Sequence, residues 1–256
     1  MNIEAIDISI LAPAFVAGLL VLVTHVPLGQ EVLKRGIIFI DLAIAQIAGL
    51  GVVVATRLTG EAHGWEAQII AVLSALIGAG LLSQMEKKWP QQQEALIGVT
   101  FVLAATASIL LLANNPQGGE SLKDLLVGQI LWVTWPQLAL PALLSVVIFG
   151  AWLRFNRPTA FYPLFAVSVT VSVQLVGIYL VFASLIIPAL ATIGLKGWKA
   201  LFVGFLLSAS GYALGLLVSA MFDLPSGAVI VWNLATTCLV GRWLLTPNTS
   251  LPKTSR

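Results

Sequence analysis

Residues 37–55 read IIFIDLAIAQIAGLGVVVA, nineteen positions that are apolar apart from Asp41 and Gln46. As a helix, such a run is long enough to cross the hydrocarbon core of a bilayer. A carboxylate inside it costs roughly 2.5–3.5 kcal/mol at mid-span on insertion scales. Asp41 lies about one turn into the run, and two readings stand side by side. Either its side chain snorkels back to the neighbouring Lys34 and Arg35, or it is a polar group facing a bundle interior or a substrate path.

The rest of the chain carries the same apolar signature. Of its 256 residues 59% are hydrophobic and 9% charged, with a mean hydropathy of +0.98. A water-soluble domain of that length cannot hide so much apolar surface, so lipid is the solvent for most of it. Further apolar segments fall at about 9–28, 67–85, 95–113, 125–153, 161–176, 177–194, 200–220 and 227–245. The segment at 125–153 is too long for one straight span. Pro136 and Pro141 in it predict a short interfacial helix followed by the true crossing. The block at 161–195 is unbroken and suits two helices joined by a tight turn near Gly177. The expected fold is therefore all-α: one polytopic transmembrane domain over residues 1–256, with nine membrane-spanning helices (eight or ten being the alternatives) and a short cytoplasmic tail at 246–256.

Basic residues set the expected orientation. Lys34 and Arg35, Lys87 and Lys88, Arg154 and Arg157, and Lys196 and Lys199 follow the first, third, fifth and seventh segments, and Arg242, Lys253 and Arg256 close the chain. The other connections hold Arg57, Lys123 and most of the acids: Glu4, Asp7, Glu61, Glu66, Glu120 and Asp223. Nine segments fit one alternation, with the N-terminus outside and the C-terminus in the cytoplasm. The start carries Glu4 and Asp7 with no base before the first apolar run, opposite to a signal-peptide leader, so the first helix is expected to be retained. The bases are scattered at helix ends, which speaks against nucleic-acid binding.

Chemistry-bearing residues are few. The single cysteine, Cys238, excludes an intrachain disulfide and a Cys-rich metal cluster, and His25 and His63 are far apart. There is no HExxH, GxSxG or P-loop, so a catalytic role for this chain is not expected. Inside the spans the polar residues are Asp41, Gln46, Gln129, Gln174 and Asn233. Gln46 lies roughly 140° round the helix from Asp41, so the two would not grip one ligand without a break. For the amides the plain alternative is an interhelical hydrogen bond. Gly211, Gly215 and Ser219, and likewise Ala45, Ala48 and Gly49, mark close helix packing.

Several of these stretches form a recognisable set. VPLGQEVLKRGIIFIDLAIAQIAGLG resembles the second-helix signature of the bacterial manganese, zinc and iron ABC importer permeases. There a basic pair is followed by an aromatic, then Asp, then a small residue or His one turn on. EALIGVTF resembles the family's acid-x-Leu-Leu-Gly segment and LLVGQILWVTWPQL its Leu-x-Gly-Asp-Leu-Leu-x-Val segment. VGIYLVFASLIIPALAT and FDLPSGAVIV resemble its most recognisable block and its closing Asp-x-Pro-x-Gly turn.

The resemblance implies a multi-pass subunit of the bacterial inner membrane that homodimerises around a central path. An extracytoplasmic binding protein would deliver a divalent metal ion, and a separate cytoplasmic ATPase would bind ATP and power import. No cofactor is expected on this chain. Asp41 matches the family's metal-path Asp and is the expected metal-contacting residue, with Gln46, Gln129 and Gln174 as further path candidates. The family's His one turn on is replaced by Ala45, its fourth-helix His by apolar residues around Val102, and an Asp by Gln129. One hard carboxylate suits zinc poorly. Either the metal is held mostly by the partner protein, or the substrate differs, for example a metal chelate; a non-transporting scaffold is the reading from another class. The family's docking loop corresponds to the short residues 154–163, where Arg154, Phe155, Asn156, Arg157 and Phe161 are the expected ATPase contacts.

Overall fold

The computed structural model describes residues 7–59, 64–113, 119, 123, 126–154 and 158–245. Among these it is all-helical. The helices are α1 (Ile8–Arg35), α2 (Ile40–Thr59), α3 (Trp65–Lys88), α4 (Gln93–Leu112), α5 (Trp135–Arg154), α6 (Pro158–Val176), α7 (Ile178–Ala191), α8 (Gly197–Phe222) and α9 (Ser226–Leu245). Two single 3₁₀ turns, Pro90–Gln92 and Ile130–Trp132, lead into α4 and towards α5. Seven helices, α1 to α5 with α8 and α9, are long and apolar enough to cross a membrane. The two remaining helices are shorter apolar elements, and α7 has only 14 residues.

Local chemistry sets the helix ends. Asp7 caps α1, its Oδ1 accepting the Ser9 N–H at 2.8 Å, and those contacts with Ser9 hold its exposed carboxyl below the usual carboxylate range. At the other end Gly36 takes φ +71°, and Ile37 donates to the Val32 carbonyl, closing the helix with a left-handed glycine. The 125–153 segment divides, as expected, into short helical pieces at 126–127 and Ile130–Trp132 and one crossing, but the break falls before both prolines. Trp135–Arg154 is one helix with Pro141 inside it, and the chain breaks before it, at Val133 and Thr134. Thr134-Trp-Pro-Gln137 explains the break. Gln137 Oε1 accepts the Thr134 N–H at 2.8 Å, half of a capping box, while Pro136 sits in the first turn where its missing N–H costs nothing. We expect Gln137→Ala to lower stability by about 1 kcal/mol, a typical cost of a lost cap, read as a lower unfolding midpoint in detergent.

The block at 161–195 divides at Gly177, as its length predicts. Gly177 adopts φ +82°, ψ 163°, a conformation essentially confined to glycine. It also lies backbone to backbone with Gly128, itself at φ +72°. α6 and α7 thus form an up-and-down pair joined by a single residue.

Contacts along the helices order them end to end. Arg35, Glu86, Gln93, Phe161 and Tyr162 meet at one end of the bundle. Arg242 donates to the Leu190 carbonyl at 2.9 Å, joining the ends of α7 and α9. At the opposite end the Arg57 guanidinium donates to the Leu111 carbonyl, and Val127 and Gly128 meet Gly177 and Gly227. Successive helices therefore run in alternating directions. The clusters at 34–35, 87–88, 154 and 196–199, with Arg242, share one end, called here the basic end.

Packing is graded from the middle outwards. α7 buries ten of its 14 residues, against α1, α9 and the start of α2. A helix too short to span is tolerated at this depth because protein, rather than lipid, covers it. Outer helices instead show large apolar side chains such as Ile77, Leu110, Val146, Phe202 and Trp243 on their free faces, as lipid contact requires. Close approaches use small residues: Gly211 lies on the Leu234 backbone, Gly215 on that of Ile230, and Gly18 under the Tyr212 ring. The Tyr212 hydroxyl, fully buried, is satisfied by Ser184 Oγ at 2.7 Å.

Candidate functional site

Asp41 stands in the first turn of α2, where the positive end of the helix dipole favours a carboxylate. It is 1% exposed, and neither carboxylate oxygen has a hydrogen-bond partner among the described residues. The bases that would have explained it are engaged elsewhere. Arg35 donates from Nε to Glu31 Oε1 at 3.0 Å, places a terminal nitrogen 3.6 Å from Glu86, and lies 4.3 Å over the Phe161 ring. Lys34 is 3.9 Å from Glu31 and points largely into solvent. The snorkelling alternative therefore has no ion pair behind it.

The surroundings of Asp41 are set by the α1–α2 turn. Phe39 donates its backbone N–H to Glu94 Oε1 at 3.3 Å, fixing the turn to the start of α4, while Glu94 Oε2 is buried with no hydrogen-bond partner among the described residues. The Phe39 ring stacks on Phe182 of α7 with centroids 6.2 Å apart. Ala45, one turn on, is 1% exposed, so the position that would complete a pair with Asp41 is enclosed but carries no donor.

The remaining candidates are not gathered at Asp41. Gln46 is almost buried on another face of α2. Gln129 and Gln174 are exposed near the opposite end, close to the Gly128–Gly177 contact. Gln129 lines an open cleft of about 310 Å³ with Trp132, Asp223, Pro225 and Ser226. Asn233 bonds back to the Val229 carbonyl in its own helix at 2.9 Å and not across a helix interface as expected. No three of His, Cys, Asp and Glu converge among the described residues. Of the expected ATPase contacts, Phe155, Asn156 and Arg157 lie outside the described residues. Arg154 is exposed at the end of α5. Phe161 is 6% exposed, its ring covered by Arg35 and packed on Tyr162 and Phe165, so it offers no free apolar anchor.

One buried polar residue did not stand out in the sequence. His25, midway along α1, is fully buried; its Nδ1 lies 3.0 Å from both the Val21 carbonyl and Thr24 Oγ1, and Nε2 has no partner among the described residues. A carbonyl only accepts, so the contact with Val21 favours the proton on Nδ1 and leaves Nε2 as a bare acceptor. The sequence signal was its place within an apolar run, where an ionisable group is costly.

Comparison with known proteins places this geometry in a family. A "Probable metal transport system membrane protein" of Thermotoga maritima is 26% identical over 252 residues, covering 89% of this chain and 87% of that protein. A protein of the same description from Chlamydia muridarum is 22% identical over 184 residues, 62% of this chain and 63% of its own length. Among solved structures, PsaBC from Streptococcus pneumoniae, determined in complex with Fab, has the same fold: TM-score 0.75 at 21% identity, with 95% of this chain and 96% of that one covered. The ABC 3 transport family model matches residues 7–164 and 158–244. With both halves of the bundle inside that match, the chain belongs to the ABC 3 transport family and is a multi-pass membrane protein of that family.

Proposed function

We propose that the chain is the permease of an ATP-driven importer of a divalent metal ion of the zinc or manganese type, in the inner membrane of a bacterium. The observation that carries this reading is Asp41, a buried carboxylate whose oxygens have no hydrogen-bond partner among the described residues while its neighbouring bases are paired to other groups. A structural carboxylate at that depth would be expected to hold a partner. A transit site needs the opposite: an unengaged, negatively charged group that a passing cation meets and leaves.

The permease acts as a homodimer around the path, with a separate ATPase at the basic end and a metal-binding protein at the other. Family membership and the permease-like descriptions of its relatives support those partners. Arg154 and residues 155–157 are the ATPase contact in this reading, with Phe161 acting at one remove. The path runs past Asp41, with Gln129 and Gln174 nearer the opposite end; Gln46, on another face of α2, would join it only through a break in that helix. Oxygen donors alone favour a hard ion such as manganese over zinc. Uptake of radiolabelled manganese and zinc by cells with and without the ATPase tests the proposal. ATPase-dependent uptake of either metal is expected; failure of both, with a metal chelate taken up, would replace the substrate, and no ATPase-dependent uptake would favour a scaffold.

Orientation is tested separately. With the basic end in the cytoplasm, an impermeant thiol reagent added outside should label a cysteine placed at Ser226 and leave one at Lys87 or Lys196 unlabelled. Labelling at Lys196 would reverse the assignment of the α6–α7 pair.

A further inference from the structure

Arg35 is a guanidinium that ties together three helices. It bonds Glu31 on its own helix, pairs with Glu86 on α3 and lies on the face of Phe161 on α6. Its side chain is 16% exposed, against 72% for Lys34 beside it. Those three contacts differ in kind. The two carboxylates hold it by charge and hydrogen bonding and the ring by its π face, so the group has little freedom to turn.

Its place in the chain gives that geometry a consequence. Arg35 is the last residue of α1; Gly36 and the turn at 37–39 follow, and Asp41 lies in the next helical turn. Phe161 lies in the first turn of α6, where the chain arrives from the basic end. Phe161 has Tyr162 beside it, which bonds Gln93 Nε2 at 2.9 Å and stands close to Glu86 and Arg35, so the start of α6 meets the end of α1 in one cluster centred on Arg35. On its other side the turn is fixed to α4 through Phe39 and Glu94.

We infer that Arg35 is the coupling residue of this permease: movement at the start of α6 reaches the α1–α2 turn, and so Asp41, through the Phe161–Arg35 contact. A mere bolt between helices would contribute stability. A coupling residue also determines how much transport follows from each ATPase cycle. The inference rests on the proposed ATP-driven import, and the experiment keeps the two apart.

Two variants remove the stacking while keeping bulk or charge: Phe161→Leu and Arg35→Lys. Each is made in a Cys238→Ala background carrying Ile38→Cys as a reporter in the turn. The purified permease alone is treated with a maleimide, and the permease–ATPase complex in vesicles is assayed for manganese transported per ATP hydrolysed. We expect near-normal melting and ATPase co-purification, a labelling rate at position 38 raised at least several-fold, and metal per ATP lowered about tenfold. Unchanged labelling in both variants would overturn the inference by itself. Raised labelling with a wild-type ratio of metal to ATP would also overturn it, leaving Arg35 a structural clamp. Were the parent complex to move neither manganese nor zinc, the import reading would fall, while labelling would still decide whether Phe161 and Arg35 hold the turn.

Discussion

Asp41→Asn lowers metal uptake per folded molecule by about 100-fold or more, with expression and dimerisation close to the parent. The substitution is almost isosteric and removes only the charge. If the carboxylate is the group that draws a dehydrated cation through the bundle, a 100-fold loss corresponds to about 2.7 kcal/mol of lost attraction at ~1.4 kcal/mol per decade. That is small beside the interaction of a divalent ion with a buried carboxylate, so the figure is a lower bound. No side-chain partner among the described residues is lost, so stability should change little: relief from burying a charge opposes the lost attraction of the α2 N-terminus. A stability loss at constant transport per folded molecule would instead restore a structural role. The companion variant is Ala45→His, which places a nitrogen donor one turn from Asp41 in an enclosed site. Tighter retention of zinc than of manganese is expected, since nitrogen ligands favour zinc. Unchanged affinity in a well-folded protein would count against a path at this face of α2.

Gly177→Ala is expected to be among the most damaging single-methyl changes in the fold. A Cβ there would run into the Gly128 nitrogen and the Val127 carbonyl carbon, both backbone atoms that cannot swing aside. The positive φ adds roughly 1–3 kcal/mol of strain for any residue with a side chain. Together these should exceed about 3 kcal/mol, the range in which single substitutions unfold marginal proteins. The readout is folded yield by size-exclusion chromatography and the melting midpoint in detergent. Gly98→Ala is the control. It lies in α4 with open space around its Cβ direction, so its change should be neutral or slightly stabilising. Equal losses in the two variants would mean that the Gly128–Gly177 contact does not hold the α6–α7 pair.

The helical architecture was legible because lipid makes composition speak plainly. Uninterrupted apolar length gave every helix, and the 161–195 block could only be divided at a glycine. Orientation could be read in relative terms, since the basic clusters do share one end. The α5 start was misread because two prolines drew attention as breakers, whereas Thr134 and Gln137 carried the more specific capping signal. At the site, Asp41 was visible as a costly residue, but what its neighbours do was not. That Arg35 is turned towards Glu86 and Phe161 depends on residues 51 and 126 positions further along. The same non-local packing hides Phe161, which as a sequence letter next to a loop reads as an exposed anchor. His25 escaped notice because a single imidazole in an apolar run has no partner in sequence to point to.

The shortness of α7 has an electrical side. Fourteen residues cover about 21 Å, against about 30 Å of hydrocarbon in an ordinary bilayer. The cleft at Gly128 opens beside its far end, so the insulating wall next to α7 is thinner than the membrane around it. A transmembrane voltage falls across insulation. A divalent ion that moves through the whole drop exchanges about 4.6 kcal/mol per 100 mV. Spread over 21 rather than 30 Å, the same voltage pulls on the ion about 1.4 times harder. If the proposed path runs beside α7, the membrane potential would assist inward movement of a cation most strongly there.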